Sequence, residues 1–100
     1  MAKRRVVWTK ESRLQLKEIL EYFRVRNKSG NYSSKLYSKF KRELRIAAEE
    51  PEIGVKTDLD NIRGLIIGNY ILFYEIQLFK IQVFEVWDNR QNPGKLKFRR

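Results

Sequence analysis

One hundred residues carry 22 Lys and Arg against 12 Asp and Glu, for a formal net charge of +10, with no cysteine and no histidine. Those two absences exclude thiol nucleophiles, imidazole acid–base chemistry and the commonest zinc ligands, so any catalysis falls to Arg, Lys, Tyr, Asp or Glu, and no metal or cofactor is expected. The length fits one domain, 1–100, and 42% hydrophobic residues with 13% aromatic suffice for one core without staples.

The chain opens on "MAKRRVVW", basic and then briefly apolar, with no secretory signal; no stretch approaches the roughly 18 apolar residues of a membrane span. A cytoplasmic protein without membrane contact is expected, and "RVVW" reads as a leading strand. Leu16, Ile19, Leu20 and Phe23 then fall at i, i+3, i+4 and i+7, one apolar stripe behind the N-cap candidate Thr9, which predicts a helix over 10–26. "NKSGNYSS" breaks that pattern. A second helix is predicted from Ser33 or Ser34, with Leu36, Phe40, Leu44 and Ala47 or Ala48 inward, ending before Pro51.

Beyond Pro51 the period changes. "NIRGLIIGNYILFYEIQLFKIQVFEVWD" is rich in Ile, Val, Phe and Tyr and is punctuated at Gly68-Asn69 and around Leu78-Phe79, predicting three strands joined by two tight hairpins. The order is β-α-α-β-β-β, an α+β fold with a helical hairpin on one face of a small antiparallel sheet. In the middle strand of the three both alternating sets are apolar, Tyr70, Leu72, Tyr74 and Ile76 on one side and Ile71 and Phe73 on the other. Two helices cannot easily cover both faces, so Ile71 and Phe73 are expected on an uncovered, partner-binding face.

The positive charge gathers at the two ends of the chain, with a smaller share before Pro51, and it includes a basic tail at about 94–100. Such a balance points to an anionic partner. Where the last strand stops, Trp87 is expected to pack into the core, Asp88, Asn89 and Asn92 to hold the turn, and Pro93 to end the ladder. Arg90 is left projecting beside the sheet, either as a planar fork for phosphate or carboxylate or paired with Asp88 or a helix carboxylate.

The order of elements, the segment "RGLIIGNYILFYEI" and the ending "VFEVWDNRQNP" resemble the RelE/ParE superfamily, small toxins of type II toxin–antitoxin systems also known as plasmid-stabilisation proteins. The resemblance spans about Arg5 to Leu96. It implies a protein that inhibits its own host's growth and is neutralised by a cognate antitoxin in a hetero-oligomer; the expected uncovered sheet face and edge then offer Ile71 and Phe73 to an amphipathic helix or added strand of that antitoxin. RelE-like members cut messenger RNA on the ribosome without a metal, whereas ParE-like members bind DNA gyrase and cut no RNA.

The resemblance also assigns residues. Arg90 matches the arginine after the final strand, Arg63 stands close enough in sequence to serve as a second cation, and Tyr70, Glu75, Trp87, Asp88 and Asn92 are supporting candidates. The strand before the hairpin carries Ile62, Gly64 and Ile66 where active ribonucleases commonly have basic residues, and Ile71 replaces the arginine often found after the hairpin tyrosine. A missing preorganised cation costs about 2.7–4 kcal/mol of transition-state stabilisation, so noncatalytic poisoning fits this chain better than RNA cleavage. The reading from another class is a basic nucleic-acid-binding module without a toxin role; against it, no RNA-recognition, helix-turn-helix or zinc-finger pattern occurs.

Overall fold

A computed structural model of the chain describes residues 3–90. The elements run β1 (Arg5–Trp8), α1 (Lys10–Asn27), α2 (Asn31–Glu49), a 3-10 turn (Pro51–Ile53), β2 (Val55–Lys56), β3 (Ile62–Ile67), β4 (Tyr70–Ile76) and β5 (Lys80–Asp88). The expected α+β order is present, with β2 added. The expected tail at 94–100, with Asn92 and Pro93, lies outside the described residues.

The helices begin and end where local chemistry demands. Thr9 caps α1, its hydroxyl oxygen accepting from the Ser12 N–H at 3.1 Å. Lys28 closes α1 in the left-handed region, φ 52°, its N–H turned back to the carbonyls of Arg24 and Val25. Ser33 at the start of α2 donates its hydroxyl to the Leu20 carbonyl at 2.6 Å, fastening the two helices to each other.

The sheet order is β1-β5-β4-β3-β2. Four strands run antiparallel in sequence, including the three joined by the expected hairpins, while β1 joins β5 in parallel, so the sheet is mixed. The β3–β4 turn places Gly68 at φ +60°; positive φ at the first central position is the II′ arrangement that matches strand twist. One irregularity interrupts β5: Tyr74 pairs with Val83 but Phe73 pairs with Glu85, a bulge that leaves one residue of β5 in excess. Gln15 of α1 serves this bulge. Its Oε1 accepts from the Val86 N–H at 2.8 Å and its Nε2 donates to Glu85 Oε2 at 3.0 Å.

Side chains sort onto two faces. Leu16, Phe40, Leu44, Ala47 and Ala48 from the helices meet Leu65, Leu72, Tyr74, Ile81, Val83 and Val86 in the main core. On the other face Ile62, Ile71, Phe73 and Trp87 form a second cluster, with Phe84 packed against it. Ile71 and Phe73 are 1% and 0% exposed, which corrects the expectation of an uncovered apolar face. Trp87 is buried, as the sequence led one to expect. Among the described residues no helix is long and apolar enough to cross a membrane.

Candidate functional site

Strand pairing brings three of the candidate residues together. Tyr70, first in β4, lies opposite Asp88, last in β5, and Arg90 follows two residues on. With Glu18, Ile19 and Tyr22 of α1 they line an open cavity of about 360 Å³ at the end of the sheet. Tyr22 is the residue the apolar stripe did not flag. Its signal was being an aromatic one position off that stripe and four before Arg26, whose Nη1 donates to the Tyr22 hydroxyl at 2.8 Å.

Asp88 grips Arg90 at three points. The Arg90 backbone N–H and Nε both donate to Oδ1 at 2.9 Å, and Nη2 donates to Oδ2 at 2.8 Å. The side-chain hydrogen bond from Arg90, then its backbone N–H and its charge, hold the Asp88 carboxyl below its ordinary range against a smaller opposing effect of burial, and the same pairing raises Arg90. Burial pushes the Tyr70 phenol up, with the Asp88 charge adding to the effect. Its ring stands edge-on to Phe40 with centroids 5.9 Å apart.

A guanidinium has five N–H donors, and Asp88 takes two. The remaining donors sit on a side chain that is 60% exposed and lies beside the Tyr70 phenol, so Arg90 is a fork fixed along one edge by Asp88, with its other donors toward solvent and Tyr70. Such a group suits recognition by geometry. Its charge, already compensated by a carboxylate, has less to offer the growing negative charge of a phosphoryl transition state.

Arg63 and Glu75 stand elsewhere. Arg63 pairs with Tyr74, four residues along β4 from Tyr70, which is about 13 Å at the strand's rise. Its Nη1 donates to the carbonyls of Glu52 and Gly54 at 2.9 and 3.0 Å, tying the Pro51–Gly54 connection to the sheet, while its buried Nε has no partner among the described residues. Glu75 Oε2 accepts from Asn61 Nδ2 at 2.8 Å and Oε1 from Gln77 Nε2 at 2.7 Å. Both oxygens of that carboxylate are engaged by amides. Asn92 lies outside the described residues, and Ile71, Phe73 and Trp87 form the second core cluster.

Gly64 explains one departure from the ribonuclease pattern. A Cβ there would meet Ile71 Cγ2 at 2.8 Å and Phe73 Cε1 at 3.0 Å. A lysine or arginine at this position would drive into the packed pair.

A model of the family described as the ParE toxin of type II toxin–antitoxin system, parDE, matches residues 6–93. Among solved structures, a chain from one described as the chromosomal ParDE TA system from P. aeruginosa shares the fold with a TM-score of 0.68 at 12% identity, covering 84% of this chain and 94% of that one. No curated protein matches.

Proposed function

Since the chain belongs to the ParE toxin family of type II toxin–antitoxin systems, we propose that it inhibits growth by binding DNA gyrase without cleaving RNA, and that a co-produced antitoxin holds it harmless. The observation carrying this reading is the separation of the candidate groups. Attack of a 2′-hydroxyl on the neighbouring phosphate needs a base, a cation and a proton donor within hydrogen-bond reach of one phosphodiester. Here Arg90 is bound to Asp88, while Arg63 is fastened to backbone carbonyls about 13 Å along the strand. Glu75, a supporting candidate whose carboxylate could take a proton, is held by two amides. Recognition tolerates this arrangement and cleavage does not.

The test adds purified protein separately to gyrase supercoiling reactions and to ribosomes translating a defined message. Supercoiling is expected to fall while the message stays intact, and adding the antitoxin should restore supercoiling. Cleaved message with undisturbed supercoiling would overturn the assignment of target and of mechanism together.

A further inference from the structure

Beside the Arg90 site, and sharing Tyr70 with it, a second cavity of about 230 Å³ opens between α1, the start of α2 and the β3–β4 turn. Phe23, Tyr32 and Leu36 form its helical wall, Tyr70 and Gly68 its sheet side, and Lys35 and Lys39 its rim. The two lysines are four residues apart on α2 and therefore share a side of the helix. Among the described residues neither makes an ion pair, and no acidic residue lines the cavity.

The aromatic groups continue beyond the cavity. Phe23 meets Tyr32 edge-on with centroids 4.7 Å apart and Tyr22 at 5.1 Å, giving a row of three rings. Its outer members are half exposed, Tyr22 at 54% and Tyr32 at 46%. The Arg26 guanidinium lies 5.9 Å from the Tyr22 centroid. At the turn, the space where a Cβ on Gly68 would sit is open.

We propose that this cavity receives a nucleotide of a single-stranded nucleic acid, its base against the Tyr32 ring and its phosphates on Lys35 and Lys39. Rings alternating with cations follow a polynucleotide because every base offers a π-face and every phosphate a negative charge. An acidic peptide would satisfy the lysines but leave the row of rings without matching groups. A duplex keeps its bases stacked and paired, out of reach of a cavity. The inference does not depend on gyrase being the target, and its test contains no gyrase.

The whole purified chain is titrated into a fluorescent oligothymidylate of about 12 nucleotides, within the roughly 4–16-nucleotide footprints of such sites, and anisotropy is read across a salt series. Lys35→Gln with Lys39→Gln is expected to lower the slope of log affinity against log salt by about 1.4, at about 0.7 per phosphate contact. Tyr32→Ala should weaken binding about tenfold, with Tyr32→Phe close to the parent, since stacking uses the ring and not the hydroxyl. Arg13→Gln with Arg45→Gln removes as much charge elsewhere and should keep the parent's slope; melting curves confirm that each variant is folded. The proposal is overturned if the parent fails to bind the strand, if the lysine pair behaves like the arginine control, or if Tyr32→Ala binds like the parent. It is overturned equally if duplex or polyglutamate competes as well as the single strand, or if thymidine monophosphate does so at equal concentration.

Discussion

Asp88 and Arg90 form a two-oxygen clamp across a single intervening residue, with the arginine's Nε on Oδ1 and its Nη2 on Oδ2. The carboxyl is held below its ordinary value, so the clamp's contribution to stability is complete above the unfolded value of about 4 and is lost as pH falls through the lower folded value. Near neutrality the clamp is intact and the arginine keeps its orientation.

Arg90→Ala is expected to relieve growth inhibition in cells lacking the antitoxin, while leaving the melting temperature close to the parent's, because the side chain is mostly in solvent. Arg90→Lys is expected to relieve it too, since an ammonium cannot span both Asp88 oxygens and still present a planar edge. Growth curves with measured protein levels decide the matter. A folded, abundant Arg90→Ala that still arrests growth removes Arg90 from the target contact.

Tyr74 is fully buried and anchors the connection before β2, its hydroxyl donating to the Pro51 carbonyl at 2.5 Å and accepting from the Gly54 N–H at 3.2 Å. Tyr74→Phe orphans both backbone groups and should cost about 2–6 kcal/mol, at about 1–3 for each. Burial also pushes this phenol above its ordinary value. A raised folded value means that the parent's stability is complete below about pH 10 and declines as pH rises through the folded value. Urea unfolding between about pH 8 and 11 should therefore show the gap between parent and variant narrowing at the alkaline end; a gap that widens there would refute this account.

Phe73→Ala empties a fully buried position and should destabilise by about 3–5 kcal/mol. Gly64→Ala presses a methyl group into Ile71 and Phe73 and should cost about 1–3 kcal/mol. Both are read by urea midpoints. If either variant matched the parent, the second cluster would not be the tightly packed core described above.

Gln15→Leu keeps the bulk of the side chain but leaves the Val86 N–H unpaired at the bulge, for an expected loss of about 1–3 kcal/mol. In a domain of this size that corresponds to a fall of at least about 4 °C in melting temperature. Amide exchange at Val86 should accelerate more than at Ile81 in the same strand. Equal acceleration would mean that Gln15 stabilises the fold generally and has no particular hold on the bulge.

Much of this fold is legible in the chain. The stripe from Leu16 to Phe23, the Thr9 cap, the Gly68-Asn69 turn and the break at Pro51 mark their elements because each depends on neighbours in sequence. β2 is two exposed residues, Val55 and Lys56, too short to show any period. The parallel seat of β1 is a long-range pairing with no local signature. The candidate site was legible in part: Arg90 and Asp88 are neighbours in sequence, whereas their meeting with Tyr70 and Tyr22 is tertiary. Burial of Ile71 and Phe73 could not be read from alternation, which assigns residues to a face but not what lies over it.

The irregularity in β5 makes the site a matter of counting. If β5 continued from the Val83–Tyr74 pair with no surplus residue, Trp87 would arrive opposite Tyr70, and Asp88 would fall opposite Asn69. An indole would then occupy the place of the carboxylate, and Arg90 would lose its anchor beside the phenol. The strand thus carries one unit of slack, and its tolerance of length changes is lopsided. Loss of Phe84 would use up the slack and still deliver Asp88 to Tyr70, whereas an extra residue after Val86 would carry the aspartate past its partner and take Arg90 with it.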